Sequence, residues 1–360
     1  MTKTRPAYLL IAVAALLSGL LAGTASAAPG GEAQSEHQRV VDFWTHARVA
    51  QAVPRHIVFE PGPGFVPVAK PPDTPGNGGG KGGGGGDDGD SSLVTGESWT
   101  TGGLVSQATG KVLFALDGAY YVCSASVVVD PDDTHTAPAD SLVLTAGHCA
   151  HDQTTDGFAT NWVFIPAYDE APAPLTTNQS FCADTKYGCW SASALTVHDG
   201  FVSAGRFNDQ AVVHDFAVAT VGPGGKEGTD LEATVGAQGI HFSVDIAGST
   251  TYAFGYPAAQ KYKGNDLVYC AGPVGTDPNT SGTTYRIECD MTGGSSGGPW
   301  LTSFTDTPGE DGHGAGTLRS LNSYGYRGDS GMYGPMFNDD TKAVYTAADD
   351  ATESTVVGGS

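Results

Sequence analysis

Thr292-Gly293-Gly294-Ser295-Ser296-Gly297-Gly298-Pro299-Trp300 is a glycine-rich run whose reading decides the rest of this chain. Glycine lacks a Cβ, so it can take positive φ and let another backbone approach closely. Glycines on both sides of Ser296 would hold its hydroxyl outward and point the amides of Gly294 and Ser296 the same way. Two such amides suit an oxyanion. Gly and Ser also dominate ordinary turns, so the run alone is equally a linker signal.

The flanks are not linker-like. Thr283-Thr284-Tyr285-Arg286-Ile287-Glu288-Cys289 before the run and Pro299-Trp300-Leu301 after it read as strands. A serine hydroxyl is a poor nucleophile and needs a neighbouring base. Upstream, the apolar strand Ser141-Leu142-Val143-Leu144-Thr145 ends at Ala146-Gly147-His148-Cys149, which offers His148 as that base. Asp215 stands at the mouth of another apolar stretch, Phe216 to Val221, where a buried carboxylate needs a partner.

In these contexts the chain resembles the trypsin-like, chymotrypsin-fold serine proteases. The motifs are Leu-Thr-Ala-Gly-His148-Cys, Asp215-Phe-Ala-Val and Gly-Gly-Ser-Ser296-Gly-Gly-Pro, in the order His, Asp, Ser, with spacings of 67 and 81 residues. The resemblance covers roughly residues 97–337. It implies that His148 is general base and then acid, that Asp215 orients it, and that Ser296 forms an acyl-enzyme over a Gly294/Ser296 oxyanion hole. Phe254-Gly255-Tyr256-Pro257 and Cys289-Asp290-Met291-Thr292-Gly293-Gly294 resemble the bacterial glutamyl-endopeptidase-like branch. Ser295 replaces the aspartate that, in the animal enzymes, pairs with the new N-terminus on activation, so that switch is expected to be absent.

The resemblance also implies a primary pocket walled by Asp290 to Gly293 and by Asn322-Ser323-Tyr324-Gly325, with Asp290, Thr292, Asn322, Ser323 and Gly325 as its candidate residues. Asp290 invites a preference for Lys or Arg, but the glutamyl-endopeptidase-like branch carries an aspartate in a similar place without that preference. Asn322 stands where Glu-specific relatives place a histidine, which puts Glu specificity in doubt. His241 and His313 read as surface residues.

Six cysteines allow 15 pairings. The resemblance pairs Cys123, in Tyr120-Tyr121-Val122-Cys123-Ser124, with Cys149 beside the histidine. Cys182 and Cys189 would then close a small loop, leaving Cys270 with Cys289. A thiolate nucleophile at Cys149 is incompatible with that bridge.

Met1 to Ala27 carries Lys3 and Arg5, an apolar core from Tyr8 to Leu21, and Ala25-Ser26-Ala27, the pattern of a secretory signal. Disulfides fit an exported protein. The net charge of −22 argues against nucleic acid as a partner. Beyond the signal, no stretch has the apolar length of a membrane span. The expectation is a secreted, extracellular monomer acting on protein or peptide substrates, with no cofactor and no metal. Asp87-Asp88-Gly89-Asp90 and Asp130-Pro131-Asp132-Asp133 lack a calcium-loop pattern and read as solvated turns.

The expected organisation is a signal peptide over 1–27, a propeptide and Gly/Pro-rich linker over 28–92, and a protease domain over 93–360. Arg39 to Ala50 reads as one amphipathic helix that covers the cleft or assists folding, followed by a flexible tether through Pro71-Pro72 and Gly82 to Gly86. From Glu97 onward, short strands separated by Gly, Pro, Asp and Ser clusters point to an all-β fold of two packed six-stranded antiparallel barrels. Strands are expected over 111–116, 119–129, 161–165, 215–221, 251–255, 266–270 and 317–322, with no long helix and a polar, disordered tail over 347–360. The alternative function is a non-catalytic protease homologue serving as an extracellular binding module.

Overall fold

The computed structural model describes residues 1, 34–60, 93–131, 140–168, 180–259, 261–349 and 351–358. The expected signal segment beyond Met1, the Gly/Pro tether, Asp87–Asp90 and Asp132-Asp133 lie outside the described residues. Ser35 to Ser360 forms one compact unit.

The N-terminal segment folds as two short helices rather than one. Ser35 caps α1 (Glu36–Phe43) and Thr45 caps α2 (His46–Val49), each hydroxyl accepting a backbone N–H two or three residues into the helix it starts. The break between them turns Trp44 inward, where it is fully buried and its indole donates to the Asn161 carbonyl at 2.6 Å. Two short extended pieces follow, β1 (Val53–Pro54) and β2 (Val58–Phe59), and then β3 (Val94–Ser98).

Six strands make the first barrel: β4 (Thr109–Leu116), β5 (Ala119–Val128), β6 (Ser141–Thr145), β7 (Thr160–Pro166), β8 (Trp190–His198) and β9 (Ala217–Val221). They pair antiparallel in the cyclic order β5-β4-β7-β8-β9-β6, and the β5–β6 ladder closes the ring. Alternate residues of a strand face opposite sides. Val112, Phe114, Cys123 and Phe164 therefore fill the interior, while Leu113, Val122, Val163 and Ile165 form an outer apolar stripe. Val40 and Trp44 cover that stripe, so the helices lie on the barrel wall and not over the cleft.

The second half contains β10 (Thr250–Gly255), β11 (Val268–Pro273), β12 (Thr284–Glu288), β13 (Pro299–Thr302), β14 (Thr317–Leu321), β15 (Gly325–Tyr326) and β16 (Gly331–Pro335). Strands β14-β13-β10-β11-β3 run side by side, and β12 pairs with β16. These ladders enclose a second core around Ala253, Cys270, Ile287 and Trp300. This is the two-barrel, all-β plan.

Two expectations fail at the C-terminus. Asp339–Asp349 is an eleven-residue helix, α3, with Val344, Tyr345 and Ala348 buried, and Thr355–Val357 forms β17, which adds in parallel to β8. The tail is polar by composition, yet its few apolar residues find a prepared surface. Strand β8 was also unforeseen, because Trp190-Ser-Ala-Ser-Ala carries weak β-formers and its neighbours supply the pairing.

Candidate active site

His148 sits in a single turn of 3₁₀ helix, Gly147–Cys149, at the end of β6. Asp215 precedes β9, the antiparallel neighbour of β6, so the ladder register brings the two together. The Asp215 carboxylate accepts from the His148 backbone N–H at 2.8 Å through one oxygen and faces Nδ1 at 2.8 Å through the other. Both side chains are buried, at 1% and 0% exposure. A carboxylate at Nδ1 places the ring proton there and leaves Nε2 as the basic atom. The hydroxyl of Ser323 donates to the same Asp215 oxygen.

Ser296 lies on the loop between β12 and β13. The carbonyls of this loop are tied down: Gly293 to the Ala258 N–H, Gly294 to the Ser124 hydroxyl, Ser295 to the Gly298 N–H and Asn322 side chain, and Ser296 to the Ser124 N–H. The amides of Gly294 and Ser296 donate to no backbone carbonyl among the described residues. Gly297 has φ +82°, and a Cβ there would lie 2.1 Å from Thr145 Oγ1, so only glycine fits behind the serine. The Ser296 hydroxyl donates to the Arg55 carbonyl at 3.2 Å, and His148 Nε2 is buried with no hydrogen-bond partner among the described residues.

Beside Ser296 is a cavity of about 400 Å³ whose walls include Asp290, Thr292, Ser323 and Gly325. Asn322 is not among them. Its side chain is fully buried, donating to the Phe254 and Ser295 carbonyls and accepting from the Trp300 indole. Asp290 pairs with Lys261 at 2.6 Å and accepts from Tyr262, which neutralises it at the rim. Hydrogen bonding to Asp290 pushes the Lys261 ammonium up to about 12.

Sequence reasoning missed a charged cluster at this cavity, of which Asp329 lines the wall. Buried Arg286 contacts both Glu288, at 2.9 Å, and Asp329, at 3.4 Å. Burial opposes the Arg286 charge, but these acids outweigh it and raise its pKa. One cation against two acids leaves an excess negative charge behind Gly331, where a Cβ would meet Arg286 Nε at 2.6 Å and Asp329 Oδ2 at 2.7 Å. Arg286 and Glu288 stand two apart on one face of β12, but Asp329 comes from the turn before β16, and no local signal joined it to them.

Sulfur pairs join Cys123–Cys149, Cys182–Cys189 and Cys270–Cys289, at S–S distances of 1.97, 1.99 and 2.03 Å. The first fastens the His148 turn to β5, and the third joins β11 to the approach to Ser296. His241 is exposed beside Arg319, and His313 stacks on Trp99.

No protein-family model and no curated protein matches the chain. Solved structures do. The protease Anisep from Arthrobacter nicotinovorans is 32% identical, with a TM-score of 0.56, over 71% of this chain and 100% of its own. The thermostable serine protease AL20 from an extremophilic microorganism is 35% identical, with a TM-score of 0.54, over 68% of this chain and 98% of its own. A Glu endopeptidase, at 17% identity and a TM-score of 0.48, is too distant to bear on specificity. Identity at this level across nearly the full length of a protease and of a serine protease, on a two-barrel frame, makes the chain a member of the trypsin-like, chymotrypsin-fold serine protease family.

Proposed function

We propose that the protein is a secreted serine endopeptidase that hydrolyses protein or peptide substrates through an acyl-enzyme on Ser296. The observation that carries this reading is the buried His148–Asp215 pair, with the carboxylate on both Nδ1 and the backbone N–H, beside a serine loop whose Gly294 and Ser296 amides donate to no backbone carbonyl among the described residues. In the reaction the Ser296 proton passes to His148 Nε2 as Oγ bonds the substrate carbonyl carbon. The two amides hold the resulting oxyanion. His148 then protonates the leaving amine as the C–N bond breaks, and water repeats the sequence to release the acid.

The chain division into signal, N-terminal propeptide with linker, and protease domain from residue 93 belongs to the same proposal. The three disulfides suit an oxidising exterior, and no helix among the described residues is long and apolar enough to cross a membrane. The excess negative charge behind Gly331 favours uncharged or cationic side chains in the pocket and disfavours glutamate.

The test is an intact-mass shift on exposure to a fluorophosphonate, with Ser296→Ala as control. One adduct that is lost in the control is expected. A folded protein that takes no adduct, even when Arg55, whose carbonyl takes the Ser296 hydroxyl, is replaced by alanine, would leave the binding-module alternative.

A further inference from the structure

We infer that Val53–Glu60 is a built-in inhibitor lying in the cleft with its chain direction opposite to that of a substrate, a regulation that presupposes the protease activity proposed above. Strand β1 pairs in parallel with β5, Val53 opposite Tyr121 and Pro54 opposite Val122. Strand β2 pairs in parallel with β15, Val58 opposite Gly325 and Phe59 opposite Tyr326. The residues between them cross the nucleophile. The Arg55 N–H donates to the Val122 carbonyl at 3.2 Å, and its own carbonyl takes the Ser296 hydroxyl. His56 lines the primary pocket and packs so closely on Gly293 that a Cβ there would lie 2.6 Å from the His56 Cβ. Beyond it, Ile57 and Phe59 accept from the Gly325 and Arg327 amides at 3.2 and 2.9 Å.

The direction follows from which residue occupies the pocket. The primary pocket receives the side chain of the residue whose carbonyl is attacked. Here the pocket holds His56, but the carbonyl at Ser296 belongs to Arg55, one residue earlier. The nitrogen of that peptide bond therefore belongs to the pocket residue. Attack would leave the departing amine seated in the pocket and the acyl residue reaching away toward Asp152. The Arg55 carbonyl also draws on the nucleophile's own proton, and His148 Nε2 is left without a partner among the described residues. The segment thus fills the cleft, uncouples base from nucleophile, and presents no bond in a productive pose.

Arg55 is its principal fastening. The guanidinium bonds Asp152 at 2.8 Å and lies 5.2 Å from the centre of the Tyr121 ring, with both members of the ion pair about one-sixth exposed. Burial works to raise the Asp152 pKa, but hydrogen bonds from Arg55 and Thr154 hold it well below the usual carboxylate range. Phe59 adds contacts to Phe207, Tyr324 and Tyr326. Because Trp44 is buried in the barrel wall nine residues before Val53, the segment is always presented at high effective concentration.

The experiment measures fluorophosphonate labelling rates and small-peptide hydrolysis for the full chain and its Arg55→Ala, Arg55→Lys and Asp152→Asn variants. Arg55→Ala is expected to label about tenfold faster than wild type, the ratio that 1.4 kcal/mol gives. Asp152→Asn should move the same way, Arg55→Lys should stay near wild type, and intact mass should show the Arg55–His56 bond uncut. Asp152→Asn keeps the test available if Arg55→Ala misfolds. Wild type reacting as fast as both loosened variants, or cleavage at Arg55–His56, overturns the inference and leaves the protease reading standing. No labelling of any folded form overturns the protease reading itself.

Discussion

Ser323 Oγ and His148 Nδ1 share one oxygen of the Asp215 carboxylate, so Ser323 helps hold the carboxylate that faces His148 although it lies 108 residues downstream of Asp215. Hydrogen bonds to charged groups contribute about 1.5–3 kcal/mol. Ser323→Ala is therefore expected to lower kcat/KM roughly tenfold with little change in KM. Asp215→Asn, which misorients the imidazole, should cost about 10⁴. Unchanged kinetics in Ser323→Ala would mean that the His148 backbone N–H alone holds the carboxylate.

Peptides with glutamate at the position entering the pocket should turn over at least about tenfold more slowly than those with uncharged side chains. The reason is the unbalanced charge of Arg286, Glu288 and Asp329 behind Gly331. Asp329→Asn should narrow that gap. A peptide library that ranks glutamate first would refute the electrostatic account.

Lys111 is a buried cation over the Tyr168 ring at 4.1 Å, and burial pushes its pKa down to about 8. The folded state releases this proton before the unfolded chain does, near 10.5, so between those values the unfolded state binds more protons and stability from this group rises with pH. At neutral pH the cost of the buried charge is about 3 kcal/mol. Lys111→Met should raise Tm at pH 7 and flatten the dependence of stability on pH from 8 to 10.5. Thermal melts across that range check the sign.

Replacing Cys123 and Cys149 together by alanine opens a loop with a sequence separation of 26 residues and should cost about 3 kcal/mol by chain entropy. Because the bridge also anchors the His148 turn, activity should fall more than a stability loss alone explains. Denaturant titration alongside kcat below the melting range separates the two. Activity that tracks only the folded fraction would assign the bridge a purely structural role.

Much of the candidate site was legible because its parts are local. His148, Asp215 and Ser296 each stand at a strand boundary, and the glycines around Ser296 are a constraint written within a few residues. The pocket was not legible in the same way. Asp290 and Asn322 read as pocket residues by position along the chain, but a lysine from a neighbouring loop neutralises the first, and the second turns inward to satisfy two carbonyls and an indole.

The N-terminal segment marks the same boundary. Sequence alone determined that residues 39–50 favour helix and that a Gly/Pro-rich stretch separates them from the barrels, because periodicity and glycine content act between near neighbours. Only the tertiary structure decided that Trp44 seats on the outer stripe of the first barrel, and that Arg55 and His56 reach Ser296 and the pocket. An extended piece such as Val53–Glu60 carries unpaired amides and carbonyls that would suit many edges and either direction. Its partner and polarity are set by the surface that hundreds of other residues have built, and no local pattern encodes that surface.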